Sequence, residues 1–536
     1  MIQKLDDVRK YEVNMEKQIV KEERPVFHLS PRVGWMNDPN GFSFYRGEYH
    51  LFYQYNPHDS HWGPMHWGHA VSRDLLHWTY FPAAMAPDMP YDEAGCFSGS
   101  AAELPDGRHL LMYTGVRKEV WKERGLTDRQ FADKQQVQLT NEQSADMQLI
   151  DEQLMDVQTD VQTQCIAIGD GLNYEKYEQN PVLDEKDLPP GGSRVDFRDP
   201  KIWKKADGTW RCVVGNRASD GNGQILLFSS EDGFQWKYEK ILMKNSGRLG
   251  RMWECPDFFS LDGKQILLVS PQDMLPKELE YPNGNGTVCL IGDYDEETDS
   301  FAPERDQAID HGIDFYAPQT ALAPDGRRIM IGWMQNWDTC NLRTQEHTWF
   351  GQMSIPRELS VQNGKLVQKP IRELENMRRE EVHYEQIVLE DETIQLNGIE
   401  GRVLDLELCI RPGNEKKPGM EIQKGHYKRF TLRFAQNEKE NLYTELSFQP
   451  EQSILKINRK YSGSRRAILH ESSCRVSDRQ GQLKLRMILD RYSAEVFVND
   501  GEQVMTITFY TDQTAREISF QAEGNVTMDL VKYELV

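Results

Sequence analysis

Five times in the first 335 residues, a short apolar strand runs into a glycine turn and a second apolar strand comes back. The turn glycines are Gly47, Gly107, Gly208, Gly263 and Gly326, and the last four each follow an aspartate. Asp-Gly between apolar runs is a strong short-range hairpin signal, because the turn needs positive φ. The turns recur at roughly 55–63 residues, with one gap near 100. A regular period of about four strands predicts a β-propeller. An ordinary sandwich would need that spacing to be coincidental. Three hairpins open on an acid in an unusual frame: Asp38 in Trp35-Met-Asn-Asp-Pro-Asn-Gly41, Asp199 in Phe197-Arg-Asp-Pro200, and Glu254 in Trp253-Glu-Cys-Pro-Asp257. If the hairpins are blades around one axis, the three carboxylates meet at one end of it.

The long gap holds an insertion, about 117–163, rich in Gln, Asp and Glu. Within it Met147, Ile150, Leu154, Val157 and Val161 fall at 3-4-3-4 spacing, which predicts an amphipathic helix with Ser144 as its N-cap. The insertion leaves a strand that returns to the end bearing the acids. It is therefore expected to wall the pocket there or to contact another subunit of a homo-oligomer. After Pro370 a charged, helix-compatible segment, about 371–381, reads as a linker. From 382 to 536 the chain becomes many short alternating strands, such as Val403–Ile410, Phe430–Phe434, Leu483–Leu489 and Val504–Phe509. Alternation with turn signals every ten or so residues predicts an antiparallel β-sandwich in a supporting role. The fold expected is all-β: a charged N-terminal extension (1–23), a five-bladed propeller (24–370), a linker and a sandwich.

The chain carries 85 acids against 63 bases, for a net charge of −22. Such a surface repels nucleic acid and anionic membranes and suits a small neutral or weakly charged substrate. The first 23 residues lack an apolar signal-peptide core, and no stretch approaches the ~20 apolar residues of a membrane span. The eight cysteines are scattered singly, without a CxxC, which predicts reduced thiols in a cytoplasmic protein.

Splitting a glycosidic bond needs two carboxyl groups with different duties, one ionised and one protonated. Amides at Asn37 and Asn40 are expected to keep Asp38 ionised. Glu254, beside Trp253 and Cys255, is expected to hold its proton longer. Arg198 is expected to keep Asp199 permanently charged, able to grip sugar hydroxyls. One competing reading is a metal site at His58-x-x-His61 and His66-x-x-His69. Trp62 and Trp67 interleave with those histidines and suit stacking on a sugar instead, so no metal and no cofactor are expected.

These frames, together with Phe97-Ser-Gly-Ser100, resemble the signature set of glycoside hydrolase family 32, which contains invertases, sucrose-6-phosphate hydrolases, inulinases and levanases. Ala494-Glu-Val-Phe-Val-Asn-Asp-Gly501 is similar to the family's sandwich motif. The resemblance covers nearly the whole chain and implies a propeller followed by a sandwich. By the same resemblance Asp38 matches the nucleophile, Asp199 the transition-state stabiliser and Glu254 the acid/base. Trp35, Asn37, Gln54, Trp62, Phe97, Ser98, Arg198 and Trp333 match positions around the fructosyl pocket. Cys255 matches a family cysteine with no nucleophilic duty, which implies that it tunes the surroundings of Glu254. The implied activity is a retaining β-fructofuranosidase acting on sucrose and short fructooligosaccharides. Sucrose 6-phosphate hydrolysis and fructosyl transfer are the alternatives. A sugar-binding propeller without catalysis is a third reading, against which the intact acid trio stands. Retention implies Asp38 and Glu254 carboxyls ~5–5.5 Å apart.

Overall fold

The computed structural model describes residues 4–124, 154–340, 348–415, 423–424, 427–463, 469–477 and 479–536. All five hairpins form, and each turn glycine has positive φ, between +77° and +93°, with open space around it. Each hairpin is the start of a sheet. The first four sheets begin at Gly34–Tyr45, Gly95–Glu103, Gly192–Lys204 and Trp253–Leu261, and the fifth at Tyr316–Leu322. These five inner strands are neighbours in turn, and the fifth also lies against the first. Gln319 ties three of them together: its Oε1 accepts from Phe42 N at 3.3 Å and its Nε2 donates to Gly99 O at 2.7 Å. The first sheet gains a fifth strand, Trp349–Phe350, laid parallel against Gly34–Trp35. The result is the expected five-bladed propeller.

Every inner strand breaks register at one shared level, and the first and third strands break it a second time. The shared shifts fall between Met36 and Pro39, Phe97 and Gly99, Arg198 and Lys201, Glu254 and Asp257, and Tyr316 and Gln319. The cause is local. Four of the five breaks contain a proline (Pro39, Pro200, Pro256, Pro318), which has no N–H to give the ladder. In the remaining blade Gly99 stands where an added Cβ would sit 2.0 Å from Met112 O. A bulge re-aims the side chains beside it. A ring of five bulges therefore turns the acids and their neighbours toward one end of the axis.

The insertion differs from expectation. Leu154–Gly169 is a strand, paired residue for residue with His109–Arg124, so Leu154, Val157 and Val161 are not helical. A spacing of four suits one face of a strand as well as one face of a helix. Pairing over sixteen residues with the neighbouring strand decides between the two. Ser144, Met147 and Ile150 lie outside the described residues. The N-terminal extension contains a helix, Leu5–Glu16, on the outer strand Thr79–Met85 of the first blade. Arg9 Nε donates to Ala83 O at 3.0 Å and Glu12 accepts from Ala83 N at 3.1 Å, so two side chains cap the backbone of an open sheet edge.

The charged segment after Pro370 is a short 3-10 helix, Arg372–Met377, and Arg378–Glu390 is already the first strand of the second domain. That domain is two six-stranded antiparallel sheets, Arg378–Glu390 edging one and Thr393–Ile394 the other, around a core including Leu406, Phe434, Val496 and Phe520. It docks on the propeller through a shared apolar cluster that includes Met36, Ile331, Ile488 and Phe497. Buried ions fix the orientation. His28 lies 2.9 Å from Asp490 and 3.1 Å from Glu495, while Glu495 also accepts from Ile355 N at 2.7 Å and from Arg357. Glu495 belongs to the motif 494–501, so that motif's duty here is to hold the two domains together.

Burial alone would lower the pKa of His28, but the hydrogen bonds to Asp490 and Glu495 raise it to about 9. A raised value stabilises fully below the unfolded pKa, near 6.5, and the stabilisation is lost as pH rises through about 9. The linked contribution is about 3 kcal/mol. Thermal melts should show a falling Tm across that window, and His28→Gln should flatten the slope. An equal slope in both proteins would remove His28 from the account.

Candidate active site

One cleft of about 1000 Å³ opens at the bulged end of the propeller, lined by Asp38, Asp199 and Glu254 together. Asn37, Gln54, Trp62, Phe97, Ser98 and Arg198 line it as well. Trp62 stands half-exposed at the mouth with Phe97 edge-on to it at 6.1 Å. Trp35 and Trp333 do not line the cleft. Both are fully buried behind its wall, with ring centroids 5.9 Å apart. Their size drives them into the aromatic cluster with Phe350, and Trp35 acts through a neighbour: its indole N–H donates to Asn37 Oδ1 at 2.8 Å. That bond fixes which way the Asn37 amide faces.

Backbone strain is concentrated here. Asp199 and Cys255 have φ of +66° and +48°, in the left-handed region that non-glycine residues rarely adopt. The strained residues join three blades, since Cys255 N donates to Asp199 Oδ2 at 2.9 Å and Asp199 N donates to Thr114 Oγ1 at 2.9 Å. The Cys255 thiol lies 3.6 Å from Asp199 Oδ2 and 4.0 Å from Asp38 Oδ2. Burial, then the charges of Asp199 and Asp38, push that thiol well above its ordinary range. It remains a protonated donor rather than a thiolate nucleophile.

Glu254 is gripped at both oxygens. Arg198 Nε donates to Oε1 at 2.9 Å and Tyr316 OH donates to Oε2 at 2.6 Å, Tyr316 also lying 3.0 Å from Ser270 O. Arg198 is in turn steered by Asp196 at 3.1 Å and Gln162 at 3.3 Å. Gln162 lies on the strand returning from the insertion, whose two arms put Lys118, Gln158, Thr159 and Asp160 on the cleft rim. The insertion's roots thus sit on the face expected.

The charge states differ from those expected. Burial first, then Glu254 and Asp199, hold Asp38 well above the usual carboxylate range, and the Asn37 amide opposes this only in part. Asp38 Oδ1 is buried without a hydrogen-bond partner among the described residues. Burial also raises Asp199 to about 6, against the pull of Arg198. Neighbouring amides and one arginine in sequence do not offset three carboxyls crowded into one buried site. Arg198 bonds to Asp196 and Glu254, not to the side chain that follows it in the chain.

Sequence reasoning missed Tyr316, Trp337, Gln162, Asp196 and Gln272. Tyr316 had a signal: Tyr316-Ala-Pro-Gln319 repeats the proline step of the three acid frames in the fifth blade, without an acid. The histidines of the competing reading part ways, with His61 on Asp59 at 2.9 Å and His69 on His50 at 3.1 Å. Among the described residues Cys96, Cys165, Cys212, Cys255, Cys289, Cys409 and Cys474 form no disulfide. Among the described residues no helix is long and apolar enough to cross a membrane.

The protein is a glycoside hydrolase acting on fructosides, as comparison with known proteins shows. The model of the glycosyl hydrolases family 32 N-terminal domain matches residues 28–159 and 150–370, and that of the family 32 C terminal matches 373–535, so the chain belongs to glycoside hydrolase family 32. An Escherichia coli sucrose-6-phosphate hydrolase is 33% identical over 505 residues, covering 94% of this chain and 93% of its own. An Escherichia coli raffinose invertase is 34% identical over 499 residues, covering 93% and 92%. Among solved structures, a variant of the Bombyx mori GH32 β-fructofuranosidase BmSUC1 in complex with sucrose is 30% identical, with a TM-score of 0.75 over 99% of this chain and 97% of that one.

Proposed function

We propose that the protein is a retaining β-fructofuranosidase releasing terminal fructose from sucrose and short fructooligosaccharides. The observation that carries this reading is the convergence of Asp38, Asp199 and Glu254 on one cleft, with Glu254 held by Arg198 and Tyr316. Asp38 Oδ1, which has no hydrogen-bond partner among the described residues, attacks the fructosyl anomeric carbon. Glu254 gives its proton to the departing oxygen, and a covalent fructosyl-enzyme forms with one carboxyl proton spent. Glu254, now a base, takes a proton from water, which attacks the same carbon and frees Asp38. Asp199 bonds fructose hydroxyls as charge develops on the ring. The free thiols of Cys96, Cys165, Cys212, Cys255, Cys289, Cys409 and Cys474 suit a reducing, cytoplasmic setting.

The cleft favours a neutral substrate. Five carboxylates line it (Asp38, Asp160, Asp196, Asp199, Glu254) against Lys118, Arg194 and Arg198. Arg198 is spent on Asp196 and Glu254, and Arg194 on Glu119 at 2.8 Å and Glu185 at 3.0 Å. The second reading, sucrose 6-phosphate, rests on Lys118, exposed on the rim, and on the name of the Escherichia coli relative. Comparing kcat/KM on sucrose, sucrose 6-phosphate, kestose and inulin decides. We expect sucrose to exceed its phosphate by about tenfold or more, the cost of bringing a dianion to this cleft. The reverse preference, abolished by Lys118→Gln, would establish the second reading.

A further inference from the structure

The five inner strands enclose a second cavity, of about 480 Å³. Its walls come from positions further along the strands that carry the acids: Asp199 is followed by Lys201, and Glu254 by Asp257. It is therefore the opposite mouth of the same axis. Its chemistry is the reverse of the catalytic end. Lys201 is part-buried, its side chain 13% exposed, and donates to Asp257 Oδ2 and Thr320 O, each at 3.0 Å. Arg328 lies over the Phe259 ring, 4.7 Å from guanidinium carbon to centroid. It donates no hydrogen bond to a described residue, and its Nε is buried without a partner. Two cations thus face one buried carboxylate, in a chain of net charge −22. Burial pushes both cations below their ordinary pKa, as expected where positive charge is under-compensated. Glu296, the other carboxylate of the lining, is exposed.

We infer that this mouth is a binding site for a small phosphorylated sugar, separate from the catalytic cleft. Arg328 and the third Lys201 proton are the phosphoryl contacts, since an unpaired guanidinium with aligned donors is built for such oxygens. Asp257 Oδ1 and Thr320 Oγ1 are buried and unpartnered, and they supply an acceptor and a hydroxyl for the sugar. The volume fits a small polar metabolite.

The test titrates the full chain with glucose 6-phosphate, inorganic phosphate and glucose by calorimetry, with thermal melts in parallel. Binding of glucose 6-phosphate should be saturable and at least about tenfold weaker in Arg328→Met. It should be unchanged in Asp38→Asn, which alters only the catalytic end. Without ligand, Arg328→Met should melt no lower than the parent, because it removes a part-buried cation whose Nε lacks an acceptor among the described residues. No heat with the parent chain would overturn the inference, even if the variant failed to fold. So would equal binding of glucose, or loss of binding in Asp38→Asn with retention in Arg328→Met.

Discussion

Asp38→Asn should lose about 10⁴-fold or more in kcat on sucrose, with KM little changed. An amide cannot form the fructosyl ester, and no other described carboxyl in the cleft can replace it. Asp199 is held by the Cys255 backbone N–H, and Glu254 by Arg198 and Tyr316. Substitution removes one of the three carboxyls that burial sets against each other, so the fold should persist and its Tm should stay the same or rise. The parent should lose activity as pH falls through the raised Asp38 value, because the attacking oxygen must be free of its proton. That acid limb should lie above the ordinary carboxylate range. Near-parental turnover of sucrose by Asp38→Asn, measured on folded protein, would remove the nucleophile from this account.

Glu254→Gln should lose about 10²–10⁴-fold on sucrose, whose glucose oxygen is a poor leaving group. The size of the loss should depend on the leaving group. With an aryl fructoside, whose phenolate departs without protonation, the first step should proceed while hydrolysis of the fructosyl-enzyme stalls for want of a base. A burst of phenol followed by a slow steady state is the expected trace. Azide, which needs no base to attack, should restore turnover and yield a fructosyl azide. Equal losses on sucrose and the aryl fructoside, with no azide rescue, would assign Glu254 a structural part only. Tyr316 and Arg198 fix the carboxyl for these steps, and their alignment depends on bulges in three different blades.

The blade starts were legible because Asp-Gly turns are chemically forced, and the acids because each sits in a proline-stiffened frame. The fifth frame, Tyr316-Ala-Pro-Gln319, carries no carboxylate and so escaped a search keyed on acids. The helix expected in the insertion failed at Leu154–Gly169 because a spacing of four suits both periods and the paired strand decided the outcome. The N-terminal segment read as a polar tail, yet Val8 and Glu12 are buried against a strand edge whose backbone sets their value. Charge states were the least legible feature. Neighbours in sequence pointed to ionised Asp38 and Asp199, whereas neighbours in space raise both.

The most direct test of a double displacement at Asp38 is the anomeric form of the first fructose released, followed by NMR before mutarotation. Attack by Asp38 and then by water, each with inversion, predicts β-fructofuranose as the initial product. Initial release of the α-anomer would mean that water attacks the substrate directly, and the assignment of Asp38 as nucleophile could not stand.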